Sequence, residues 1–202
     1  MSSAPDKVDA ALPNVLLIGD SITRAYYPEV VKDLAGKANC YYFATSAGSG
    51  DERLPGQIAA TFRMFHMKWA VVHFNNGMHG WGYTEEEYGR YLPEMLDAVK
   101  AGASEAGLIW ATTTPVRKEQ ASGASNARIV ARNTLAVKAI AGQGIAVDDQ
   151  YGLMIAHQDL HADGVHFNAA GSALQAQQVA ESVAAVLKGQ AVAARAAGGS
   201  PE

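Results

Sequence analysis

Asn14-Val15-Leu16-Leu17-Ile18-Gly19-Asp20-Ser21-Ile22-Thr23 is the stretch from which the fold can be read. Four consecutive apolar residues, Val15 to Ile18, run into Gly19-Asp20-Ser21. This reads as a buried strand ending in a tight turn that lifts a serine out at its C-terminal tip. Ligands of open α/β sheets bind outside the carboxyl ends of the strands, so the Ser21 hydroxyl lies where chemistry is expected. The same residues also suit a plainer role, since Asp and Ser are favoured helix N-caps.

Outward from that stretch the chain alternates strand and helix. Val30, Val31 and Leu34 recur at helical spacing over Tyr26–Leu34, with Pro28 placed near the start of that helix. Residues 38–43 read as a second strand, followed by the Gly/Ser-rich loop Ala44 to Gly50. A helix capped at Asp51 then carries Ile58, Phe62 and Phe65. Trp69 to Phe74 is a third strand that stops at Asn75-Asn76-Gly77. Thr84 with Glu87 forms a capping-box signature for a helix to about Lys100, with Pro93 inside it. Leu108–Ala111 and Gly144–Val147 supply two more strands, around a helix over 125–141 whose inward face is Ile129, Val130, Val137 and Ile140. A long irregular segment, Asp148 to Val165, leads to a last helix started by Asn168, with Ala176, Val179, Ala180, Val183 and Leu187 on its buried side.

Such alternation indicates right-handed parallel βαβ units. The expected fold is a three-layer α/β/α sandwich with about five parallel strands, flavodoxin-like. Residues 1–13 read as a polar leader, 14–188 as a single domain, and 189–202 as a flexible tail.

The 202 residues are 49% hydrophobic and 18% charged, the balance of an ordinary globular domain. A net charge of −4 without a dense Lys/Arg run gives no sign of nucleic acid or an anionic membrane as partner. Cys40, the single cysteine, lies in an apolar run and reads as a small buried hydrophobe. No stretch approaches the ~18 apolar residues of a membrane span. Residues 1–13 show no positive segment followed by an apolar one. That points to the cytoplasm, or to a secreted or periplasmic location where a leader has been removed.

A nucleophilic serine needs a base and a group that orients it. Of the six histidines, His166 is best placed, in Asp163-Gly164-Val165-His166 just before the last helix. That spacing lets a carboxylate accept Nδ1–H while Nε2 stays free to take the serine proton. Oxyanion donors are available from the Ser21 amide, the loop after the second strand, and Asn76 at the tip of the third.

Taken together, Gly19-Asp20-Ser21 near the start, an Asn after the third strand and Asp163-x-x-His166 near the end resemble the SGNH, or GDSL-type, hydrolases and esterases over about residues 14–188. The resemblance implies Ser21 as nucleophile, His166 as base and later acid, Asp163 as its partner and Asn76 as oxyanion donor. It implies no metal or cofactor. Two middle motifs depart from the family pattern. Phe74-Asn75-Asn76-Gly77 stands where Gly-x-Asn-Asp is usual, which leaves Asn75 as a rival to Asn76. For the backbone donor the loop offers Ser46 or Gly48, and Ser46 fits the offset from the strand better.

The expected reaction is hydrolysis of short acyl esters, acetyl first, on a small-molecule or saccharide alcohol. His79 and Trp81, in the connection after the third strand, together with Asp20 and Asn75, are candidate substrate contacts. A thioesterase or lysophospholipase would use the same residues. Two readings of other classes compete. His157, Asp159, His161, Asp163 and His166 crowd one segment as a metal site would, though no helical His-x-x-x-His fixes two of them on one face. Ala44 to Asp51 could cradle a nucleotide or flavin phosphate, but lacks both glycine-rich phosphate motifs.

Overall fold

The computed structural model describes the backbone of residues 1–198 and the side chains of residues 1–190. Six strands form one sheet: β1 (Ser2–Ser3), β2 (Asn14–Gly19), β3 (Asn39–Ala44), β4 (Val71–Phe74), β5 (Gly107–Ala111) and β6 (Ala146–Asp148). They are ordered β1-β3-β2-β4-β5-β6, and all pair in parallel except the two-residue β1, which runs antiparallel to β3. The five parallel strands therefore have the doubly wound order expected for a flavodoxin-like sheet, with the switch point between β2 and β4. The leader is tied to the sheet rather than detached from it: β1 adds an edge strand, and the Asp9 N–H donates to Asn39 Oδ1.

The helices are α1 (Ser21–Asp33), α2 (Arg53–Phe65), α3 (Glu85–Gly102), α4 (Asn126–Ile140), α5 (Gln150–Ile155) and α6 (Ala169–Gly198). Successive strand residues point to opposite faces, so Val15 and Leu17 pack with Val30 of α1 and Val179 of α6, whereas Leu16 and Ile18 pack with Ile58 of α2 and Leu92 of α3. Burial on both faces explains why β2 reads as an unbroken apolar run. The result is the expected three-layer sandwich.

Several elements depart from the sequence expectations. α1 begins at Ser21, five residues before the expected start, because Asp20 caps it, so Pro28 lies mid-helix. The irregular segment after β6 contains α5 and a 3-10 turn at Gln158–Leu160. α6 continues through the expected tail to Gly198, and residues 199–202 lie outside the described residues. The inward face of α4 is also different. Ile129 and Ile140 are buried, but Val130 and Val137 are exposed, and Arg132, Asn133 and Ala136 take the inner positions. The polar pair earns that place through hydrogen bonds: Asn133 brackets Thr113 at the exit of β5 through its N–H and carbonyl, and Arg132 reaches the loop after β4.

Candidate active site

The site forms where β2 and β4 diverge. β2 ends at Gly19, where a Cβ would lie 2.0 Å from Thr23 Oγ1, so only glycine lets the chain turn straight from strand into helix. Asp20 then caps α1, its Oδ1 accepting from Ile22 N–H at 2.8 Å, and Ser21 emerges at the helix N-terminus. Both readings of Gly-Asp-Ser are therefore realised together: the aspartate caps and the serine faces outward.

From the far end of the chain, the loop between the 3-10 turn and α6 brings His166 to this serine. The Ser21 hydroxyl donates to His166 Nε2 at 2.8 Å, and His166 Nδ1–H donates to Asp163 Oδ2 at 2.8 Å. Asp163 Oδ1 accepts the backbone N–H groups of Val165 and His166, both at 2.7 Å, which locks the turn between acid and base. These two amides, led by that of His166, and then the His166 ring hold the Asp163 carboxyl down to about 2. It is thus ionised across the neutral range and favours the Nδ1–H tautomer that leaves Nε2 able to accept a proton.

The backbone N–H groups of Ser21, Ser46 and Gly48 have no acceptor among the described residues. The Asn76 carboxamide separates the last two. Its Nδ2 donates to Ala47 O at 2.9 Å and its Oδ1 accepts from Ser49 N–H at 2.7 Å, so it grips the loop on both sides of Gly48. One N–H of Asn76 remains for another acceptor beside the Gly48 amide. A Cβ at Gly48 would come within 2.7 Å of Gly80 N, which ties this glycine to the loop after β4.

Other candidates fall outside the working surface. Asp20 is buried, spends its carboxylate on α1, and is pushed up by burial, against the N–H groups of Ile22 and Thr23 and the charges of His79 and His166. Asn75 turns toward β5, donating to Ala111 O at 2.8 Å. Tyr26 and Tyr27, which follow the serine in sequence, are core residues. His161, from the histidine-rich segment, stacks on Phe167 and places its two ring nitrogens near Gln158 O and Pro115 O. Among the described residues no three His, Cys, Asp or Glu side chains converge as metal ligands would.

His79 and Trp81 do reach the site. They line a cavity of about 420 Å³ with Ser21 and His166, together with Val165, Ser122 and Ala124. The last two belong to a loop after β5 that sequence reasoning passed over, although its place beyond a strand's carboxyl end marked it. Arg132 was also missed. Its buried guanidinium donates to His79 O, Gly80 O and Tyr83 O at 2.9–3.1 Å and lies 4.1 Å over the Trp81 ring. Arg128 adds bonds to Trp81 O and Tyr83 O and pairs with Glu85. Two α4 arginines thus fix the loop that presents His79 and Trp81.

No family model matches the sequence, and no curated protein matches it. Solved structures do. A carbohydrate esterase family 3 protein from Talaromyces cellulolyticus is 19% identical, over 87% of this chain and 98% of that one, with a TM-score of 0.67. A member of the lipolytic G-D-S-L family from Veillonella parvula is 17% identical over 84% and 97%, with a TM-score of 0.66. An acetylxylan esterase from Geobacillus stearothermophilus is 15% identical over 85% and 94%, also at 0.66. At such identities the likeness is one of architecture: the chain has the fold of the SGNH, or GDSL-type, hydrolases.

Proposed function

We propose that this protein is a serine esterase of the SGNH type that removes short acyl groups, acetyl first, from a carbohydrate or other small alcohol. The observation that carries the reading is the unbroken chain from the Ser21 hydroxyl through His166 to Asp163, with both contacts at 2.8 Å, at the strand tips. Names among its structural neighbours, a carbohydrate esterase and an acetylxylan esterase, support the choice of substrate.

In this reading His166 Nε2 takes the Ser21 proton as Oγ attacks the ester carbonyl, and Asp163 stabilises the imidazolium. The oxyanion is met by the amides of Ser21 and Gly48 and by the remaining N–H of Asn76. Gly48 is preferred to Ser46 because the Asn76 carboxamide brackets it. The Ser21 amide is itself at the N-terminus of α1, whose dipole favours negative charge. His166 then protonates the departing alcohol, and water repeats the sequence on the acyl-enzyme. No step calls on a metal or cofactor.

The test is hydrolysis of p-nitrophenyl acetate, butyrate and octanoate by the wild type and Ser21→Ala, with and without EDTA. Acetate turnover that resists EDTA and falls by about 10⁴-fold or more in the variant is expected. Equal activity in Ser21→Ala, or loss with EDTA alone, would return the metal reading to the front.

A further inference from the structure

Two hollows open at the strand tips, and Ser21 and His79 belong to the walls of both. The larger, about 420 Å³, includes His166, Trp81 and Ser122. The smaller, about 180 Å³, is completed by Met1, Arg24, Ala44, Thr45 and Ser46, and His166 has no part in it. Under the esterase reading, on which this inference rests, that asymmetry fixes how an ester must lie.

In the tetrahedral intermediate the carbon bonded to Ser21 Oγ carries three other groups: the oxyanion, the acyl chain and the departing alkoxide. The proton released by Ser21 Oγ–H rests on His166 Nε2. When the carbon–alkoxide bond breaks, its electron pair goes to the alkoxide oxygen, the carbonyl re-forms from the oxyanion, and the Nε2 proton passes to the alkoxide to give a neutral alcohol. That oxygen must therefore lie within hydrogen-bond reach of Nε2, on the His166 side. The oxyanion faces the amide donors. The acyl chain is left with the direction away from His166, where the smaller hollow opens.

We propose that the alcohol half of the substrate occupies the hollow walled by Trp81 and His166, and the acyl half the hollow walled by Arg24, Ala44 and Ser46, with Ser21 and His79 on the divide between them. The sizes agree with the assignment. The smaller hollow has less than half the volume of the larger, which suits a short acyl group there and the bulkier alcohol half in the other. The larger hollow falls within the usual range for small-ligand sites.

The walls agree as well. Trp81 is held before any ligand arrives, its Nε1–H donating to Met78 O at 2.7 Å and its ring flanked by the guanidinium groups of Arg132 and Arg128, 4.1 and 5.2 Å from the ring centre. An aromatic surface already ordered loses little entropy when a sugar ring packs on it. His79 enters the hydrogen-bond network of the described residues only through its carbonyl, taken by Arg132, so its ring is free to meet polar atoms of the ester.

The test crosses variants of each hollow with two substrate series. The acyl series is p-nitrophenyl acetate, propionate and butyrate, and the alcohol series sets β-D-glucose pentaacetate against p-nitrophenyl acetate. Arg24→Ala, at an exposed position, is expected to raise the butyrate-to-acetate ratio of kcat/KM by about tenfold, and Ala44→Val to lower it by a similar factor. Neither should move the sugar-acetate ratio by more than about twofold. Trp81→Ala should do the converse, lowering the sugar-acetate ratio about tenfold through KM while the acyl ratio holds. The opposite crossing, both ratios moving together, or neither moving would overturn the assignment while the esterase reading stands. A wild type without Ser21-dependent turnover of any of these esters would remove that reading, and the assignment with it. Arg24→Ala alone keeps the test decisive if Ala44→Val does not fold.

Discussion

Two histidine–carboxylate pairs of equal length lie in opposite surroundings. His166 and Asp163, 2.8 Å apart, are 43% and 58% exposed at the strand tips. His73 and Asp148, also 2.8 Å apart, are wholly buried between the sheet and the helices α1 and α6. In the first pair Nδ1 is bound and Nε2 is offered to a hydroxyl. In the second Nε2–H is spent on the carboxylate, and Nδ1 has no partner among the described residues. A histidine does chemistry when its second nitrogen meets a reacting group and solvent can exchange protons with it. Enclosed, the same pair can only hold elements together. Asp148 does so further by accepting from Gln178 of α6 and from Gln150 of α5.

The comparison breaks most visibly at Asp163. Asn in its place would keep an acceptor for the Val165 and His166 amides but can turn its Nδ2 toward His166. That favours the tautomer whose Nε2 carries the proton and cannot accept another. Asp163→Asn should lower kcat on p-nitrophenyl acetate by on the order of 10²- to 10⁴-fold with little change in KM. Solvent around the exposed imidazolium favours the lower end of that range. The pH profile sharpens the point. Because the Asp163 carboxyl is depressed to about 2, whatever it adds to stability is present above the ordinary aspartate range and is lost only as pH falls through about 2. An acid limb of activity above pH ~4 therefore does not come from Asp163.

Asp148 should behave in the opposite way. Asp148→Ala leaves His73 and the ends of Gln150 and Gln178 without their shared acceptor, in a site closed to water. Breaking a buried pair from one side costs about 3–5 kcal/mol. For a chain of this size that is a drop in Tm of roughly 6–20 °C, while kcat per folded molecule stays within a few-fold. Burial by itself would raise the Asp148 carboxyl, but bonds from His73, Gln178 and Gln150 outweigh it and hold it below its usual value. Its stabilisation is thus present above the unfolded aspartate value and is lost on acidification, so acid denaturation should be less steep in the variant. A fall in kcat on the scale of Asp163→Asn would mean that the buried pair serves the chemistry, and the contrast would be gone.

The difference between the pairs also decided what could be read from the sequence. Asp163 and His166 are three residues apart in one turn, so their partnership is local and visible. His73 and Asp148 are 75 residues apart, on β4 and β6 with β5 between them, and in the sequence His73 is one polar residue in an apolar run. The strands were legible because a doubly covered sheet demands continuous apolar runs. The inward face of α4 was not, because Arg132 and Asn133 are drawn inside by carbonyls of other segments, a pull that periodicity does not record. β1 was missed because two serines carry no strand signal, and their pairing is supplied by the edge of β3. At the site, the grouping of Ser21, His166 and Asp163 was legible from motif and order. The proposal of Gly48 over Ser46 as donor rests on the Asn76 carboxamide, whose grip depends on two loops folding together and so leaves no mark in the sequence.

Asp20 supplies the smallest effect and the subtlest one. Like Asp148 it is buried, yet its carboxyl is raised: desolvation exceeds what the Ile22 and Thr23 amides and the charges of His79 and His166 return. Between the ordinary aspartate value and this raised one, the folded protein binds the proton more tightly than the unfolded chain does. The contribution of this group therefore declines as pH rises, the reverse of Asp148. Asn caps a helix as well as Asp and carries no charge to desolvate. Asp20→Asn should leave the α1 cap intact and gain stability relative to the wild type as pH is raised, measurable as diverging urea midpoints at pH 4 and pH 8. A variant that instead loses ground at the higher pH would show that the ionised carboxylate is favoured at this helix start, with the N-terminal amides and the two histidines together outweighing its burial.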